Sequence, residues 1–157
     1  MTAPREIELK LEVPEDALAR LTRSPVVRTT QVGTRRPVNL ISVYYDTDTL
    51  KLRKHGLTLR VRRVGRRYVQ TIKQNSASHS ALTDRSEWEH DVSGGKPDFA
   101  LARDTGLGSI LTKKLQAKLK PIFETRVRRK IYPLRSGGSE IELTIDKGMV
   151  GAGQQSP

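Results

Sequence analysis

The first stretch of the chain alternates strictly between charged and apolar side chains. Residues 6–13 place Glu6, Glu8, Lys10 and Glu12 on one side of an extended chain and aliphatic side chains on the other. A period of two predicts a β-strand, and the pattern leaves open whether its charged face meets water or lines a cavity. Two carboxylates spaced two residues apart on a strand lie roughly 7 Å apart, so Glu6 and Glu8 can both reach a divalent cation.

The same alternation predicts most of the remaining elements. Further strands are expected at residues 38–45, 57–64, 68–73, 85–92, 122–132 and 140–146. Short helices are expected at residues 14–21, 98–103 and 108–118, and residues 22–35 and 74–84 are expected to be polar turns and loops. Charged side chains gather on one face of several of these strands. This pattern favours a mainly β (α+β) fold, a closed antiparallel barrel with a charged interior and short flanking helices.

Composition adds a strong positive charge to this picture. The chain of 157 residues has 29 Lys and Arg against 17 Asp and Glu, a net charge of +12, so its expected partners are polyanions. Aromatic residues make up only 4%, which disfavours nucleic-acid binding by base stacking; a basic exterior rather than a basic interior would be its sign. The chain has no cysteine and no apolar run near the roughly 20 residues of a membrane span, so we expect a cytoplasmic protein without a membrane partner.

A charged interior of this composition suits a chain of phosphates. Its expected cations are Lys10, Arg60, Arg62, Lys73, Arg126 and Arg128. Arginine forks and lysine point charges bind non-bridging phosphate oxygens. The carboxylates of Glu6, Glu8 and Asp146 repel phosphate directly, but they fit if a divalent metal such as Mg²⁺ lies between carboxylate and phosphate.

Several of these residues stand in motifs that resemble the CYTH domain, the triphosphate tunnel metalloenzymes. The motifs are Glu6-x-Glu8-x-Lys10, Tyr44-Tyr45-Asp46-Thr47, Leu59-Arg60-Val61-Arg62, Lys73 and Ile145-Asp146-Lys147-Gly148. They occur in the family's order and span nearly the whole chain. The resemblance implies an eight-stranded antiparallel tunnel, a triphosphate substrate, and Mg²⁺ or Mn²⁺.

The resemblance also implies a role for each matched position. Glu6, Glu8 and Asp146 would hold metal or activate water, with Lys10 beside them in catalysis. The implied triphosphate ligands are Lys10, Arg60, Arg62 and Lys73, and either Arg126 or Arg128 resembles the family's later arginine. Arg85 and Glu87 are further candidates on the central strand.

One departure concerns the C-terminus. Members of the family continue into a last strand with alternating glutamates, whereas this chain ends at Ser156-Pro157. We therefore expect residues 1–157 to form a single CYTH-like domain lacking its final strand, as in a truncated piece of a CYTH-CHAD protein. Two unpaired strand edges would favour homodimer formation.

The leading hypothesis is metal-dependent hydrolysis of a triphosphate, first of all inorganic triphosphate, in a cationic tunnel. The alternatives are a non-catalytic polyphosphate- or nucleotide-binding module and a class IV adenylyl cyclase. Inorganic, thiamine and nucleoside triphosphates present the same three phosphates, so the sequence does not choose among them.

Overall fold

The computed structural model describes residues 9–34, 36–75 and 85–152. In chain order the elements are α1 (Glu15–Arg23), α2 (Pro25–Thr30), β1 (Val38–Asp46), α3 (Lys51–Lys54), β2 (Leu57–Val64), β3 (Arg67–Asn75), β4 (Arg85–Val92), a 3-10 helix (Gly108–Ile110), α4 (Lys113–Gln116), β5 (Lys120–Ser136) and β6 (Ser139–Ala152). None of the helices in these ranges is long and apolar enough to cross a membrane.

The strands form one antiparallel sheet of six strands in the order β4-β3-β2-β1-β5-β6. The prediction of a mainly β antiparallel fold with short helices is confirmed. Over the described ranges the sheet is open, with β4 and β6 at its edges, so closure into an eight-stranded barrel stays a prediction. The predicted first strand is not observed at residues 9–13, which belong to no helix or strand, and residues 6–8 lie outside the description.

The described residues fall into two compact units. One contains residues 9–34, 36 and 130–145, and the other contains residues 37–75, 85–129 and 146–152. In the first unit α2 occupies part of a stretch predicted to be turns, because Ser24 caps it through the amide of Val27 and Pro25 suits its first turn. After α2 the chain pairs with the end of β5, where the amide of Val32 donates to the carbonyl of Pro133 at 2.9 Å.

The core of the second unit lies on one face of the sheet, here called the covered face. Leu57, Leu59 and Val61 alternate along β2 and are all buried there, with Ile72 from the neighbouring strand. Ala102, Leu107 and Leu115 pack against them from the segment between β4 and β5. Each such aliphatic side chain contributes about 1.5–3 kcal/mol when fully buried, so this layer is the main source of stability in the unit.

The covering segment is less helical than its apolar spacing predicts. The predicted helices at residues 98–103 and 108–118 are replaced by turns, the 3-10 helix and the single turn α4. Gly108 lies so close to the backbone that a Cβ there would overlap the carbonyl of Arg103, which holds the chain in a tight turn. Gln70 fastens the start of the segment: its side chain donates to the carbonyl of Asp98 at 3.0 Å and accepts from the Asp98 amide at 2.8 Å. These side-chain and turn contacts override the helical pattern.

The Tyr-Tyr-Asp-Thr motif at the end of β1 has a structural role in this fold. The buried carboxylate of Asp46 accepts hydrogen bonds from the amides of Thr47 at 2.7 Å, Leu52 at 2.8 Å and Arg53 at 3.0 Å. Two of these amides belong to α3, whose Leu52 is part of the core. Asp46 therefore holds α3 against the sheet by satisfying amides that have no partner within the helix.

Candidate functional site

The face of the sheet opposite the covered face, here called the cationic face, carries the predicted basic residues of β2 and β3. Directly paired residues of antiparallel strands share a face. Arg60 pairs with Tyr44 and Thr71, and Arg62 pairs with Ser42. Lys73 pairs with Thr58 and so joins the same face. The structure thus brings together Arg60, Arg62 and Lys73, as the alternation predicts.

Arg60 is the most enclosed of these cations, with 8% of its surface exposed. Its Nη2 donates to Oγ1 of Thr71 at 2.8 Å, and Thr71 in turn donates to Oε1 of Glu89 at 3.0 Å. The Glu89 carboxylate also lies 3.6 Å from the guanidinium. The buried Nε of Arg60 has no hydrogen-bond partner within the described ranges. An unsatisfied donor of this kind is costly, and an anion oxygen would satisfy it.

Arg62 lies beside Arg60 and is held by Ser42, whose hydroxyl accepts from its Nε at 3.0 Å. Burial lowers the pKa of the Arg62 guanidinium, and the positive charge of Arg60 lowers it further. Arg129 lowers this pKa more weakly, whereas Tyr44 and Glu89 raise it. Two partly desolvated guanidinium groups side by side repel each other, and a polyanion bound between them would relieve that repulsion.

The carboxylates of β4 face the same side and pair with the neighbouring cations. Glu87 lies 2.8 Å from Nζ of Lys73, and Asp91 accepts two hydrogen bonds of 2.9 Å from Arg67. Glu87 was a candidate from the sequence; Glu89 and Asp91 were not, although the alternation of β4 would have placed them beside it. Arg85 holds the first position of β4, opposite Asn75.

The later arginine of the cationic face is Arg129 rather than Arg126 or Arg128. Arg126 pairs with Ile41 and Arg128 with Asn39, which puts both on the covered face, while Arg129 pairs with Val38 on the cationic side. We expected Arg126 or Arg128 on the same face as Arg60, but the register of β5 places Arg129 there instead. The sequence does contain a signal for Arg129, in the hairpin formed by β5 and β6. Counting residues outward from the Gly137-Gly138 turn along both strands places Arg129 opposite Asp146.

Arg129 and Asp146 form a bidentate ion pair between β5 and β6. Nε and Nη2 of Arg129 donate to the two carboxylate oxygens of Asp146, each at 2.8 Å. The side chain of Asp146 is 40% exposed. Asp146 thus reaches the cationic face as predicted, but the structure shows it bound to a cation.

The described carboxylates do not form a metal site by themselves. Residues 9–34, 36–75 and 85–152 contain no group of three or more acidic or histidine side chains able to hold a metal ion. The carboxylates of the cationic face are instead engaged with Arg60, Arg67, Lys73 and Arg129. Glu6 and Glu8 lie outside the described residues, and Lys10 is an exposed residue of the other compact unit.

Fold and site together define a class: an antiparallel β protein with a buried arginine, Arg60, and a half-buried arginine, Arg62, side by side on one face of its sheet. The CYTH domain family model matches residues 4–154, so the chain belongs to the CYTH domain family. The resemblance inferred from the motifs is thereby confirmed.

Several solved structures have a similar fold. PH1819 from Pyrococcus horikoshii OT3 shares 17% identity over 91% of this chain and 75% of its own, with a TM-score of 0.54. PH1012 from the same organism shares 18% over 98% of this chain and 80% of its own, with a TM-score of 0.53. HpAC1 from Hippeastrum, an adenylyl cyclase candidate described as having a dominant triphosphatase activity, shares 11% over 86% and 75%, with a TM-score of 0.50.

Proposed function

We propose that this CYTH domain binds a triphosphate on its cationic face and hydrolyses it. The observation that carries the proposal is the adjacent, partly desolvated pair Arg60 and Arg62, with the Nε of Arg60 unsatisfied within the described ranges. A triphosphate would supply an acceptor for the Nε of Arg60. Its negative charge would also offset the repulsion between the guanidinium groups of Arg60 and Arg62. The dominant triphosphatase activity described for HpAC1 supports the choice of reaction.

The described residues serve to bind and orient the phosphates. Arg60 and Arg62 are held in fixed orientations by Thr71 and Ser42, so their forks are preorganised for non-bridging oxygens. Lys73 and Arg129 are held by Glu87 and Asp146, and a bound phosphate would compete with these carboxylates for them. Neutralising the phosphate oxygens in this way is the general means by which proteins promote phosphoryl transfer.

The proposal includes a divalent metal ion, which the N-terminal carboxylates would hold. Mg²⁺ or Mn²⁺ would be held by Glu6 and Glu8, with Asp146 as a further ligand and Lys10 as a triphosphate ligand beside them. When bound, the metal would neutralise phosphate charge and lower the pKa of a bound water. Since Asp146 is bound to Arg129, its use as a metal ligand would require that ion pair to open.

The second candidate function is binding of polyphosphate or nucleotide without turnover. It is favoured by the absence of an acidic cluster from the described ranges, where cations predominate. A class IV adenylyl cyclase would act on ATP through the same phosphate contacts.

The test is release of phosphate from tripolyphosphate by the full chain with and without Mg²⁺. Arg60→Gln and Arg62→Gln are expected to reduce release at least tenfold, because each removes a charged hydrogen-bond donor. Arg66→Gln is the matched control, an exposed arginine of the β2–β3 turn whose loss should change little. Tight tripolyphosphate binding without release would favour the binding module. Release that is insensitive to both substitutions would refute the proposed site.

A further inference from the structure

Two aromatic side chains lie on the cationic face beside its arginines. Tyr44 of β1 pairs directly with Arg60 of β2, and on its other side it pairs with Phe123 of β5. Both aromatic side chains are half-buried. Their rings are stacked, with centroids 4.4 Å apart and planes inclined by 13°. Tyr44 and Phe123 are called here the ring pair.

The ring pair lies apart from the core of its unit. The chain has only two Phe, one Trp and four Tyr, so two rings on a charged face are a large share of its aromatic residues. A cross-strand ring pair stabilises a sheet, but rings buried on the covered face would do so with more apolar area removed from water. The position of the pair beside Arg60 therefore indicates contact with a ligand. The other aromatic side chains described in this unit pack with the core on the covered face, namely Tyr45, Tyr68, Trp88 and Phe99.

The two rings stack along the direction that runs from strand to strand. Neighbouring strands lie about 4.7–4.9 Å apart, which is close to the separation of the ring centroids. One face of the Phe123 ring is therefore covered by Tyr44, and its other face turns toward β6. Alternation along β6 puts Val150 on the same face as Asp146, and 73% of Val150 is exposed. This side of the ring pair is thus open and apolar.

The ring pair and the cations together form an extended site. Arg60 and Arg62 lie on the strand next to Tyr44, and Lys73 lies on the strand after that. From the strand spacing, β5 lies about 10 Å from β2 and about 14 Å from β3. A triphosphate that bears a planar ring can therefore place its ring against Phe123 while its phosphates reach the cations.

The charge of the face favours a neutral ring over a cationic one. Arg60 and Arg62 lie within two strands of Phe123 and repel a ring that carries a positive charge, such as the thiazolium of thiamine triphosphate. A neutral nucleobase avoids this repulsion, and every base has a face that stacks on an aromatic side chain.

We propose that the ring pair holds the nucleobase of a nucleoside triphosphate whose phosphates are bound by Arg60, Arg62 and Lys73. This inference rests on the proposed triphosphate site and names the substrate class of that site. Tyr44 and Phe123 are then the residues that favour a nucleoside triphosphate over inorganic triphosphate. Because stacking does not read the hydrogen-bonding edge of a base, ATP and CTP should bind within about tenfold of each other.

The test is isothermal titration calorimetry of the full chain with ATP and with methyl triphosphate, in the absence of divalent metal so that hydrolysis does not interfere. Methyl triphosphate carries the same phosphate chain without a ring. ATP should bind at least fivefold more tightly, because stacking one base on an aromatic side chain raises affinity by a factor of about five to a hundred. Phe123→Leu should remove most of this preference by weakening ATP binding, and it should leave the affinity for methyl triphosphate within about twofold.

Three further variants separate stacking from phosphate binding and from folding. Tyr44→Phe keeps the ring and should keep the affinity for ATP within about twofold. Tyr132→Leu removes an aromatic ring from the same strand as Phe123 but outside the ring pair, and it should change neither affinity. Arg60→Gln should weaken both ligands equally, because it removes a contact to phosphate. Circular dichroism checks that each variant is folded, and the comparison of the two ligands on the wild-type protein needs no variant.

The proposal is overturned if the wild-type protein binds ATP no more tightly than methyl triphosphate, or if Phe123→Leu weakens both ligands equally. Tighter binding of thiamine triphosphate than of ATP would overturn the assignment of a neutral base. In each of these cases, binding of methyl triphosphate that depends on Arg60 would leave the triphosphate site itself in place. Absence of binding of both ligands would overturn the ring-pair proposal together with the triphosphate proposal.

Discussion

Arg129 reaches across from β5 to β6 and binds both carboxylate oxygens of Asp146 at 2.8 Å, whereas its neighbour Arg128 faces the opposite side of the sheet. Two adjacent arginines of one strand thus have different surroundings. If the cationic face is the triphosphate site, Arg129→Gln should weaken tripolyphosphate binding roughly tenfold, because a charged donor to phosphate is removed. Isothermal titration calorimetry measures the difference.

Arg128→Gln is the matched control for this prediction, since it removes the same charge one residue away. Its effect on tripolyphosphate affinity should stay below about twofold. A larger loss of affinity for Arg128→Gln than for Arg129→Gln would mean that the register assigned to β5 does not define the binding face.

The lowered pKa of Arg62 predicts a link between ligand binding and stability. A cation whose pKa is lowered by folding destabilises the folded state at every pH where it stays protonated, and the cost disappears only as the pH rises past its unfolded-state value. At neutral pH the charge of Arg62 is therefore unfavourable without an anion. Arg62→Gln should not lower the melting temperature of the ligand-free protein, although it removes the hydrogen bond to Ser42.

The same residue should determine the response to ligand. Tripolyphosphate at a hundred times its dissociation constant should stabilise the wild-type protein by about 2.7 kcal/mol. At that ligand concentration the Arg62→Gln protein should gain much less. Differential scanning fluorimetry with and without tripolyphosphate measures both effects; a ligand-free melting temperature well below wild type would contradict the prediction.

Asp46 should be required for the fold. Asp46→Ala removes a buried acceptor of three amide hydrogen bonds and should lower the free energy of unfolding by about 2–4 kcal/mol. Asp48→Ala removes an exposed carboxylate that is paired with Lys120 and should cost less than about 1 kcal/mol. Urea denaturation distinguishes the two, and equal losses of stability would show that Asp46 does not hold α3.

Replacing Gly108 with a larger residue should destabilise the protein. A Cβ at this position would overlap the carbonyl of Arg103, so Gly108→Ala should destabilise the protein by about 1–3 kcal/mol through a forced shift of the covering segment. Gly94→Ala is the control, because nothing lies within 4 Å of the added carbon there. The measurement compares the urea denaturation midpoints of the two variants with that of the wild-type protein. An unchanged midpoint for Gly108→Ala would mean that the turn accommodates the added carbon without loss of stability.

The sequence was sufficient for the alternating strands of the sheet, although the equally regular alternation of residues 9–13 does not form the predicted strand. Strand β2 has the predicted bounds, and Arg60, Arg62 and Lys73 share a face because a period of two leaves no choice once the apolar side is buried. The short helices were less predictable. Residues 108–118 have helical spacing, yet contacts of Gly108 and the hydrogen bonds of Gln70 shape the segment, and neither is visible in a local pattern.

The misassigned arginines have a different cause. Residues 126–129 read Arg-Val-Arg-Arg, which offers cations to both faces, so the alternation of β5 alone cannot tell which face is which. Pairing with β1 resolves it, and that pairing joins residues about 90 positions apart in the chain, such as Val38 and Arg129. Long-range register of this kind is fixed by the whole sheet rather than by the strand.

The run Arg126-Val127-Arg128-Arg129 also makes the chain sensitive to insertions and deletions. A slip of β5 by one residue against β1 would carry Arg129 to the covered face and Arg128 to the cationic face. The two faces would exchange charges while the composition of the strand stayed the same. In a comparison of homologues, a single-residue gap in this hairpin would therefore signal a change of ligand face, even where every arginine is retained.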